Sequence, residues 1–302
     1  MQYDVIIIGA GPAGFATGIY LGRAQIKTLI IGDINKSGLY SSASVENYPG
    51  FIDPISGPEL LSRMQEQARK YGVQTITHEV INLTKKDSIF SVKIETGEVH
   101  EATSVIICTG MALLTANIKN EKELKGRGVH FCVACDGIFY KNKKVAVIGN
   151  SNYAVEEAYE LLTYTKDITI ISNGREFEFS KEIESIISKN QIKLRKDRIL
   201  EFIGQEKLQE LKFKDNSEAF DGVFIAIGTA SAASFANKLG LLVENEVIMI
   251  DRAGKTNVEG IYAAGLATGG NNQIAKSVGE GCNAAISIIK KMKGLANYID
   301  HT

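Results

Sequence analysis

Two cysteines of this chain are separated by only two residues and are followed at once by an acid, in the run Cys132, Val133, Ala134, Cys135 and Asp136. This spacing allows a reversible disulfide between the two cysteines. A carboxylic acid one position further on could give a proton to a departing thiolate. The pattern therefore predicts thiol–disulfide chemistry.

Zinc binding is the alternative function of a C-x-x-C motif. The sequence has no second C-x-x-C, His130 is the only histidine near the first, and Cys108 and Cys282 lie in apolar runs. These residues do not make a four-ligand pattern, so we expect no metal site. Cys108 and Cys282 are instead expected to be buried as small hydrophobic side chains.

A glycine-rich turn follows the first apolar run of the chain. Gly9, Gly11 and Gly14 form a G-x-G-x-x-G motif between β-branched residues and a segment typical of a helix. Glycines at this spacing let the backbone turn tightly and approach a pyrophosphate, which then lies at the positive end of the helix. This context favours a dinucleotide site over a turn without a ligand. Asp33, after the next strand, lies slightly late for a ribose contact and can equally be a solvated turn residue.

Strand patterns occur in pairs along the chain. The runs that end at Gly9 and Gly149 are short, continuous and β-branched, as is typical of strands buried on both faces of a parallel sheet. The runs that end at Gly110 and Gly228 form a second pair. We therefore predict an α/β protein with two Rossmann-like, doubly wound, three-layer nucleotide-binding domains.

The first of these domains resumes near the C-terminus. One more strand pattern ends at Gly265 and is followed, after a loop, by a helix predicted from about Gln273 to Met292. One domain is therefore inserted into the other. The predicted boundaries assign residues 1–112 and 239–302 to the outer domain and residues 113–238 to the inserted domain.

The composition restricts the classes of partner. With 302 residues, of which 44% are hydrophobic, the chain can supply two cores. Lys and Arg total 34 against 35 Asp and Glu, so there is no bulk attraction to nucleic acid or to an anionic membrane. Glycines interrupt the most apolar stretch, and no basic targeting segment precedes it. We expect a cytoplasmic protein that binds neither nucleic acid nor membrane.

Four motifs follow one another over nearly the whole chain: Gly9-x-Gly11-Pro12-Ala13-Gly14, Val45-Glu46-Asn47-Tyr48-Pro49-Gly50, Cys132-Val133-Ala134-Cys135-Asp136-Gly137, and Thr256-Asn257-Val258-x-Gly260-Ile261-Tyr262-Ala263-Ala264-Gly265. Together they resemble the low-molecular-weight thioredoxin reductase family. The resemblance implies an FAD-dependent disulfide oxidoreductase that reduces thioredoxin or a thioredoxin-like protein, usually as a homodimer.

The resemblance also implies roles for individual residues. Cys132 would attack the disulfide of thioredoxin, Cys135 would face the flavin, and Asp136 would be the general acid. FAD would lie in the outer domain, on residues from five parts of the chain: Gly9, Gly11, Pro12, Ala13 and Gly14; Asn47; Thr109 and Gly110; Gly265; and Gln273, Ile274 and Ala275.

The inserted domain departs from the family where NADPH should bind. Ser151 replaces the middle glycine of the turn, where backbone and pyrophosphate nearly touch, and Tyr153 adds bulk. In place of a basic run for the 2′-phosphate there is a single arginine, Arg175, beside two glutamates that would repel a phosphate. This pattern is similar to the ferredoxin-dependent flavin thioredoxin reductases, which share the fold and the C-x-x-C but lack both NADPH motifs.

We therefore expect reduced ferredoxin to be the electron donor. Basic clusters at residues 141–144 and 189–198 could face an acidic ferredoxin, although an ordinary solvated surface explains each cluster as well. Two alternatives stay open. One is an NAD(P)H-dependent thioredoxin reductase with a divergent loop, and the other is a flavin-bearing redox sensor whose C-x-x-C oxidises without turnover.

Two further departures concern the flavin. Where the family tends to show Gly-Gly-Gln-Leu, this chain has Ser37-Gly38-Leu39-Tyr40. Leu266 replaces the aspartate that holds the ribityl chain in the family. A leucine cannot accept a hydrogen bond. Either FAD is held less tightly, or a residue of the tail such as Tyr298 or His301 packs on the flavin ring instead.

Overall fold

The computed structural model describes residues 2–110, 115–131, 133–227, 235–236, 238–244 and 247–299, with side chains except at residues 134, 135, 181 and 182. Contacts between residues divide the chain into two compact units. The first unit comprises Met1–Ile94, Val99–Ala112 and Leu239–Thr302, and the second comprises Glu95–Glu98 and Leu113–Lys238.

The strands in chain order are β1 (Gln2–Ile8), β2 (Thr28–Ile31), β3 (Gln74–Ile76), β4 (Val80–Lys86), β5 (Ile89–Ile94), β6 (Val99–Ile107), β7 (Val129–His130), β8 (Val145–Ile148), β9 (Ile168–Ile171), β10 (Lys193–Arg195), β11 (Glu201–Ile203), β12 (Glu210–Lys212), β13 (Ser217–Ala219), β14 (Gly222–Ile225), β15 (Val243–Glu244), β16 (Val247–Ile248) and β17 (Ile261–Ala263). The α-helices of the described residues are α1 (Pro12–Arg23), α2 (Gly57–Lys70), α3 (Val133–Asp136), α4 (Asn152–Leu161), α5 (Lys181–Asn190) and α6 (Ile274–Lys293). Short 3-10 helices cover Ile34–Lys36, Gly137–Tyr140 and Gly265–Thr268.

The first unit is built on a parallel sheet in the order β3-β2-β1-β6-β17. The hairpin β4-β5 extends it by antiparallel pairing with the first half of β6. Strand β2 and the second half of β1 are buried at every position, because helices cover both faces of a parallel sheet.

The second unit repeats this arrangement. Its parallel sheet has the order β10-β9-β8-β14-β7, and a separate antiparallel sheet is formed by β11, β12 and β13. Strands β8, β9 and β14 are buried throughout. The two sheets confirm the predicted α/β class with two doubly wound units.

Each unit has its own hydrophobic core, as a domain does. One cluster of buried apolar side chains joins β1, β6, α1, α2 and α6, and another joins β8, β9, β11, β12 and β14. Helix α6 begins after Gln273 and ends before Gly294, close to the predicted range. Within the described ranges, no helix is both long enough and apolar enough to cross a membrane.

A buried ion pair joins α4 to the end of the second unit. Lys238 Nζ lies 3.0 Å from Glu157 Oε1 and 2.7 Å from Glu160 Oε2. The Glu157 side chain is only 3% exposed, and burial raises its pKa against the opposing charge of Lys238. Its Oε2 atom accepts a hydrogen bond from the backbone N–H of Val133 at 3.4 Å. Glu157 therefore ties the start of α3 to α4.

Lys238→Met should destabilise the second unit by about 3–5 kcal/mol, because it leaves the Glu157 carboxylate buried without its partner. The measurement is the thermal transition in differential scanning calorimetry. Because the pKa of Glu157 in the folded protein is raised, the carboxyl takes up a proton and loses its charge as the pH falls. The loss of stability should therefore shrink as the pH is lowered from about 8 to about 5.

The matched control is Lys193→Met, which removes an exposed pair with Asp167 at 2.7 Å. It should cost less than about 1 kcal/mol at either pH. A deficit in Lys238→Met that is equal to that of Lys193→Met would contradict the importance of the buried pair.

Candidate functional site

The first glycine turn packs backbone against backbone at the end of the central strands. Gly9 has a φ of 119°, and a Cβ atom there would lie 2.2 Å from the carbonyl oxygen of Cys108. A Cβ atom at Gly14 would lie 2.0 Å from the carbonyl oxygen of Gly9. Neither position has room for a side chain, so both glycines are required for this turn.

Helix α1 begins directly in this turn. Gly11 is its N-cap residue in an extended conformation, and Pro12 is its first residue, where a backbone N–H would have no partner in the helix. No side chain of the described residues caps this helix. Its first N–H groups therefore point to a place where an anion such as a pyrophosphate is favoured.

Two segments from the C-terminal part of the chain lie against Ala13 of α1. A Cβ atom at Gly281 of α6 would lie 2.4 Å from the Ala13 carbonyl oxygen. A Cβ atom at Gly265 would lie 3.0 Å from the Ala13 Cβ. This close packing brings Gly265 and helix α6 to the glycine turn.

The start of α6 also contacts Asn47, the residue of the second motif that is predicted to bind FAD. The Asn47 amide donates a hydrogen bond to Gln273 Oε1 at 3.1 Å, although the two residues are 226 positions apart. Gln273 is the N-cap residue of α6, and Ile274 and Ala275 are in its first turn. The predicted contacts at 47 and at 273–275 are therefore neighbours.

The end of β6 contributes a buried hydroxyl. Thr109 follows Cys108, whose carbonyl group lies against Gly9. Its Oγ1 atom is buried without a hydrogen-bond partner in the described part of the chain, which suits a group that a ligand satisfies. Gly110 follows with open space around it. The structure thus brings together all five predicted segments within the first unit.

Lys276 and Glu280 form a polar network beside Gly265 that no sequence motif indicated. Glu280 Oε2 accepts hydrogen bonds from the Gly265 N–H and the Thr268 hydroxyl, both at 2.9 Å. Lys276 Nζ lies 2.9 Å from the same oxygen and donates to the Gly265 carbonyl oxygen at 2.7 Å. The i,i+4 spacing on α6 was the available signal. This network holds the turn that contains Leu266 without an acid at that position.

The other positions that raised doubt about flavin binding are packed on the first unit. Leu39 and Tyr298 both lie against its core cluster, and Leu266 is half-buried. His301 lies outside the described residues. Asp33 accepts hydrogen bonds from the backbone and the side chain of Asn35, so it serves as a local cap.

The two cysteines outside the C-x-x-C differ in burial. Cys108 is buried as predicted, and burial raises the pKa of its thiol to about 12. Cys282 is only half-buried, so the prediction of a buried thiol was wrong there. Cys282 lies at the edge of the core-facing side of α6, next to the exposed Asn283.

The acid of the C-x-x-C motif lies in close contact with a histidine. Cys132 lies outside the described residues, and Cys135 is described by its backbone, within α3. Asp136 Oδ2 lies 2.9 Å from His130 Nδ1. His130 Nε2 lies 2.7 Å from the Tyr140 hydroxyl oxygen. The predicted general acid is therefore the end of a chain of three polar groups.

Two apolar side chains next to this motif are turned to solvent. Ile138 is 63% exposed and Phe139 is 74% exposed. They follow Asp136 within three residues. Large apolar side chains grouped in this way are typical of a surface that binds another protein.

The turn of the second unit keeps the packing of a nucleotide-binding turn. A Cβ atom at Gly149 would lie 2.2 Å from the Ala226 carbonyl oxygen and 2.7 Å from the Ala154 Cβ. Strand β8, the turn and α4 are therefore packed as closely as their counterparts in the first unit.

The chain after β9 folds back over this second turn. The Glu178 N–H donates to the Asn150 carbonyl oxygen at 2.8 Å, and the Asn150 amide donates to the Glu176 carbonyl oxygen at 3.1 Å. Ser151 forms a bridge to Glu178, and its hydroxyl is buried without a hydrogen-bond partner among the described residues. The segment after β9 is thus hydrogen-bonded to the second turn.

The basic clusters are largely neutralised within the described residues. In the cluster at 189–198, three cations contact carboxylates: Lys193 with Asp167, Arg195 with Asp197 and Glu218, and Lys196 with Glu176. In the cluster at 141–144, Lys143 contacts Asp221 and Lys144 contacts Glu218. These pairs reduce the attraction that either cluster would exert on an acidic protein.

Comparisons with known proteins agree with this geometry. Residues 3–281 match the sequence profile of the pyridine nucleotide-disulphide oxidoreductases. The chain is 35% identical over 302 residues to the thioredoxin reductase of Rickettsia felis, covering 95% of this chain and 97% of that protein. It is also 35% identical over 295 residues to the thioredoxin reductase of Streptomyces coelicolor, covering 94% and 92%. The chain belongs to the low-molecular-weight thioredoxin reductase family.

Solved structures of this family are similar over the whole chain. The atypical thioredoxin reductase TRi from Desulfovibrio vulgaris Hildenborough superposes with a TM-score of 0.87 at 34% identity, covering 98% of this chain and 100% of that one. A ferredoxin-flavin thioredoxin reductase from Clostridium acetobutylicum gives a TM-score of 0.68 at 31% identity, covering 97% and 99%. Members of the family are FAD-binding flavoproteins, so FAD is the cofactor of this chain. The glycine turn and the buried Thr109 hydroxyl fit this cofactor.

Gly281→Ala should deprive the protein of most of its FAD. The added Cβ atom would overlap with the Ala13 carbonyl oxygen, so α1 and α6 would have to separate, and the glycine turn would move with α1. We expect the purified variant to show a much smaller flavin absorbance than the wild type, with unchanged circular dichroism.

Gly279→Ala is the matched control, because it lies on the same helix and no atom lies within 4 Å of its added Cβ atom. It should keep the flavin content of the wild type. Equal flavin contents in the two variants would mean that the α1–α6 packing does not control FAD binding.

Proposed function

We propose that this protein is an FAD-dependent disulfide oxidoreductase that reduces thioredoxin or a thioredoxin-like protein, with electrons from reduced ferredoxin. The observation that carries the disulfide chemistry is the Asp136 carboxyl group, which α3 holds directly after Cys135 and which lies 2.9 Å from His130 Nδ1. The relatives named as thioredoxin reductases support thioredoxin as the substrate.

In this proposal the residues of the C-x-x-C motif have distinct roles. Cys132 attacks the disulfide of thioredoxin, Cys135 faces the flavin, and Asp136 gives a proton to the departing thiolate. The exposed side chains of Ile138 and Phe139 lie next in the chain. They offer an apolar contact surface for a protein substrate.

The first unit would hold FAD. The pyrophosphate would lie at the start of α1, on the turn of Gly9, Gly11, Pro12, Ala13 and Gly14. Further contacts would come from the other predicted residues: Asn47, Thr109, Gly110, Gly265, Gln273, Ile274 and Ala275. The domain that binds FAD would comprise residues 1–112 and 239–302, and the domain with the C-x-x-C would comprise residues 113–238.

The second turn supports a donor other than NADPH. Ser151 occupies the position of the middle glycine, and the backbone of Glu178 is hydrogen-bonded to the turn. A side chain at position 151 takes up space where backbone and pyrophosphate would nearly touch. Lys196 contacts Glu176 beside Arg175, so this segment has little positive charge to offer a 2′-phosphate.

The reduction potentials of ferredoxin and thioredoxin allow ferredoxin to be the donor. A plant-type ferredoxin has a potential near roughly −400 mV and thioredoxin one near about −270 mV. The difference of about 130 mV corresponds to roughly 6 kcal/mol for two electrons. When bound, FAD can accept electrons one at a time and deliver two to a disulfide, which matches such a donor to such a substrate.

One alternative within the enzymes keeps a nicotinamide cofactor. The close packing of Gly149 against Ala226 and Ala154 favours it, since that part of the nucleotide-binding turn is intact. Another alternative is a redox sensor that does not turn over. By analogy with the family we also propose a homodimer, and we propose the cytoplasm as the place of the reaction.

The donor can be tested by following the flavin absorbance without oxygen. We expect excess NADPH or NADH to leave the flavin oxidised over minutes, because Ser151 replaces the middle glycine of the second turn, and photoreduced ferredoxin to bleach it. Rapid bleaching by either nucleotide would refute the ferredoxin proposal and support the NAD(P)H alternative. The control is photoreduction of the same sample, which must bleach the flavin without any donor protein.

Catalytic turnover can be tested with Cys132→Ser. Reduced ferredoxin and oxidised thioredoxin should give steady thiol release with the wild type and only background release with this variant, because the attacking thiolate is missing. Cys282→Ser is the matched control and should retain turnover, since Cys282 lies outside the C-x-x-C motif and serine is close to cysteine in size. A wild type that becomes oxidised and reduced but releases no thioredoxin thiol would favour the sensor.

A further inference from the structure

His130 is placed so that both ring nitrogens have a partner. Nδ1 lies 2.9 Å from Asp136 Oδ2, and Nε2 lies 2.7 Å from the Tyr140 hydroxyl oxygen. The histidine side chain is 7% exposed, whereas that of Asp136 is 32% exposed. A buried imidazole thus connects a buried hydroxyl group to a carboxyl group that water can reach.

Aromatic packing fixes the orientation of this imidazole. The Phe224 ring is stacked on it at 5.4 Å, and the Tyr140 ring meets it edge-on at 5.3 Å. Gly222 makes room for Tyr140, since a Cβ atom there would lie 2.2 Å from the tyrosine ring. Strand β7, which contains His130, is paired with β14, which contains Phe224. The ring therefore cannot turn away from Asp136 without disturbing the core.

The partner at Nε2 suits both protonation states of the ring. A hydroxyl group can donate to a neutral Nε2 atom and can accept from a protonated one. Burial, with the nearby charges of Asp136 and Asp221, raises the pKa of Tyr140 to about 12. Tyr140 therefore keeps its proton while the imidazole gains or loses one.

A lone aspartate is a poor proton donor near neutral pH. Carboxyl groups of free aspartate side chains titrate near about 3.9, so they are almost fully ionised in the cytoplasmic pH range. Imidazole titrates near about 6.5 and can hold a proton at neutral pH. A histidine in contact with the acid removes this difficulty.

We propose that His130 is a positioning residue that aligns Asp136 and supplies it with the proton that the general acid delivers. This inference rests on the proposed function. His130 is then a third group beside the C-x-x-C and Asp136, and it acts on the substrate only through Asp136.

The Cys132 thiolate forms a bond to one sulfur of the thioredoxin disulfide, the S–S bond of thioredoxin breaks, and its other sulfur leaves as a thiolate. The proton on His130 Nδ1 moves to Asp136 Oδ2, and Asp136 passes it to that thiolate. Cys135 then attacks the Cys132 sulfur, the Cys132–Cys135 bond forms, and the second thioredoxin sulfur leaves and takes the Cys135 proton, so the Cys132/Cys135 dithiol supplies both electrons. Water returns the proton through the exposed side of Asp136.

Among the described residues, few other charged groups lie on the elements around Asp136, His130 and Tyr140. Besides Asp136 and Tyr140, the groups on the surrounding elements are Asp221 before β14, held by Lys143 and the Lys144 N–H, and Glu157 of α4, paired with Lys238. Asp221 acts on Tyr140, and Glu157 contacts the start of α3. Among the described residues, Asp136 is thus the carboxyl group in direct contact with the imidazole.

The test uses the FAD-loaded protein, photoreduced and then mixed with oxidised thioredoxin at a series of pH values. For the wild type, the rate of flavin reoxidation should fall as the pH rises through the range in which imidazole loses its proton. His130→Asn keeps an N–H donor near the position of Nδ1 but cannot carry the proton. It should lack this falling limb and react roughly 10²-fold more slowly on the acidic side.

Two variants control for structural effects. Tyr140→Phe removes the hydroxyl group but keeps the imidazole, so its profile should retain a falling limb. His78→Asn makes the same exchange in the first unit and should leave the profile unchanged. If His130→Asn has the pH profile of the wild type, the inference is wrong. If reduced wild type does not react with thioredoxin at any pH, the proposed function is wrong.

A second measurement needs neither thioredoxin nor a stable variant. In wild-type protein with 15N-labelled histidine, NMR should show that His130 takes up a proton as the pH falls through the range of the kinetic limb. The midpoint should agree with that of the kinetic limb. A ring that stays neutral over this range would overturn the inference, whatever the outcome with thioredoxin.

Discussion

Direct contact between backbones is the constraint on which the flavin site depends. The carbonyl oxygens of Cys108, Gly9 and Ala13 occupy the space of side chains that Gly9, Gly14 and Gly281 lack. Backbone atoms cannot rotate away as side chains can, so this packing leaves one arrangement of β6, α1 and α6. Because α6 follows the inserted unit in the chain, the site is complete only when both ends of the first unit have come together.

The second unit shows that two units with the same architecture can differ at the turn where a nucleotide site would lie. Its sheet order and the packing of Gly149 on Ala226 match the first unit. Its turn, however, is hydrogen-bonded to the segment around Glu178. A function must therefore be argued from the groups at the site, since the architecture is common to both units.

The redox segment depends on polar contacts made by distant elements. Glu157 of α4 holds the N–H of Val133, and His130 of β7 holds the Asp136 carboxyl group. The short helix α3 is too small to be stable by itself. Its position, and with it the position of the acid, is set by buried neighbours in the second unit.

Local patterns in the sequence determined the elements and the chemistry that they carry. Runs of β-branched residues that end in glycine predicted the buried strands, because strand, turn and helix conformations depend on near neighbours. The glycine turn, the extent of α6 and the α/β class followed from such patterns. Motifs taken together led to Asn47 and Gln273, whose contact the structure contains.

Only the tertiary structure decided which side chains meet. The sequence indicates no partner for His130, and in the structure it contacts both Asp136 and Tyr140. No motif indicated the network of Lys276 and Glu280 around Gly265. The same is true of the bridge between Glu178 and Ser151 at the second turn. Such contacts depend on how separate elements pack, and the spacing of residues along a chain does not contain that information.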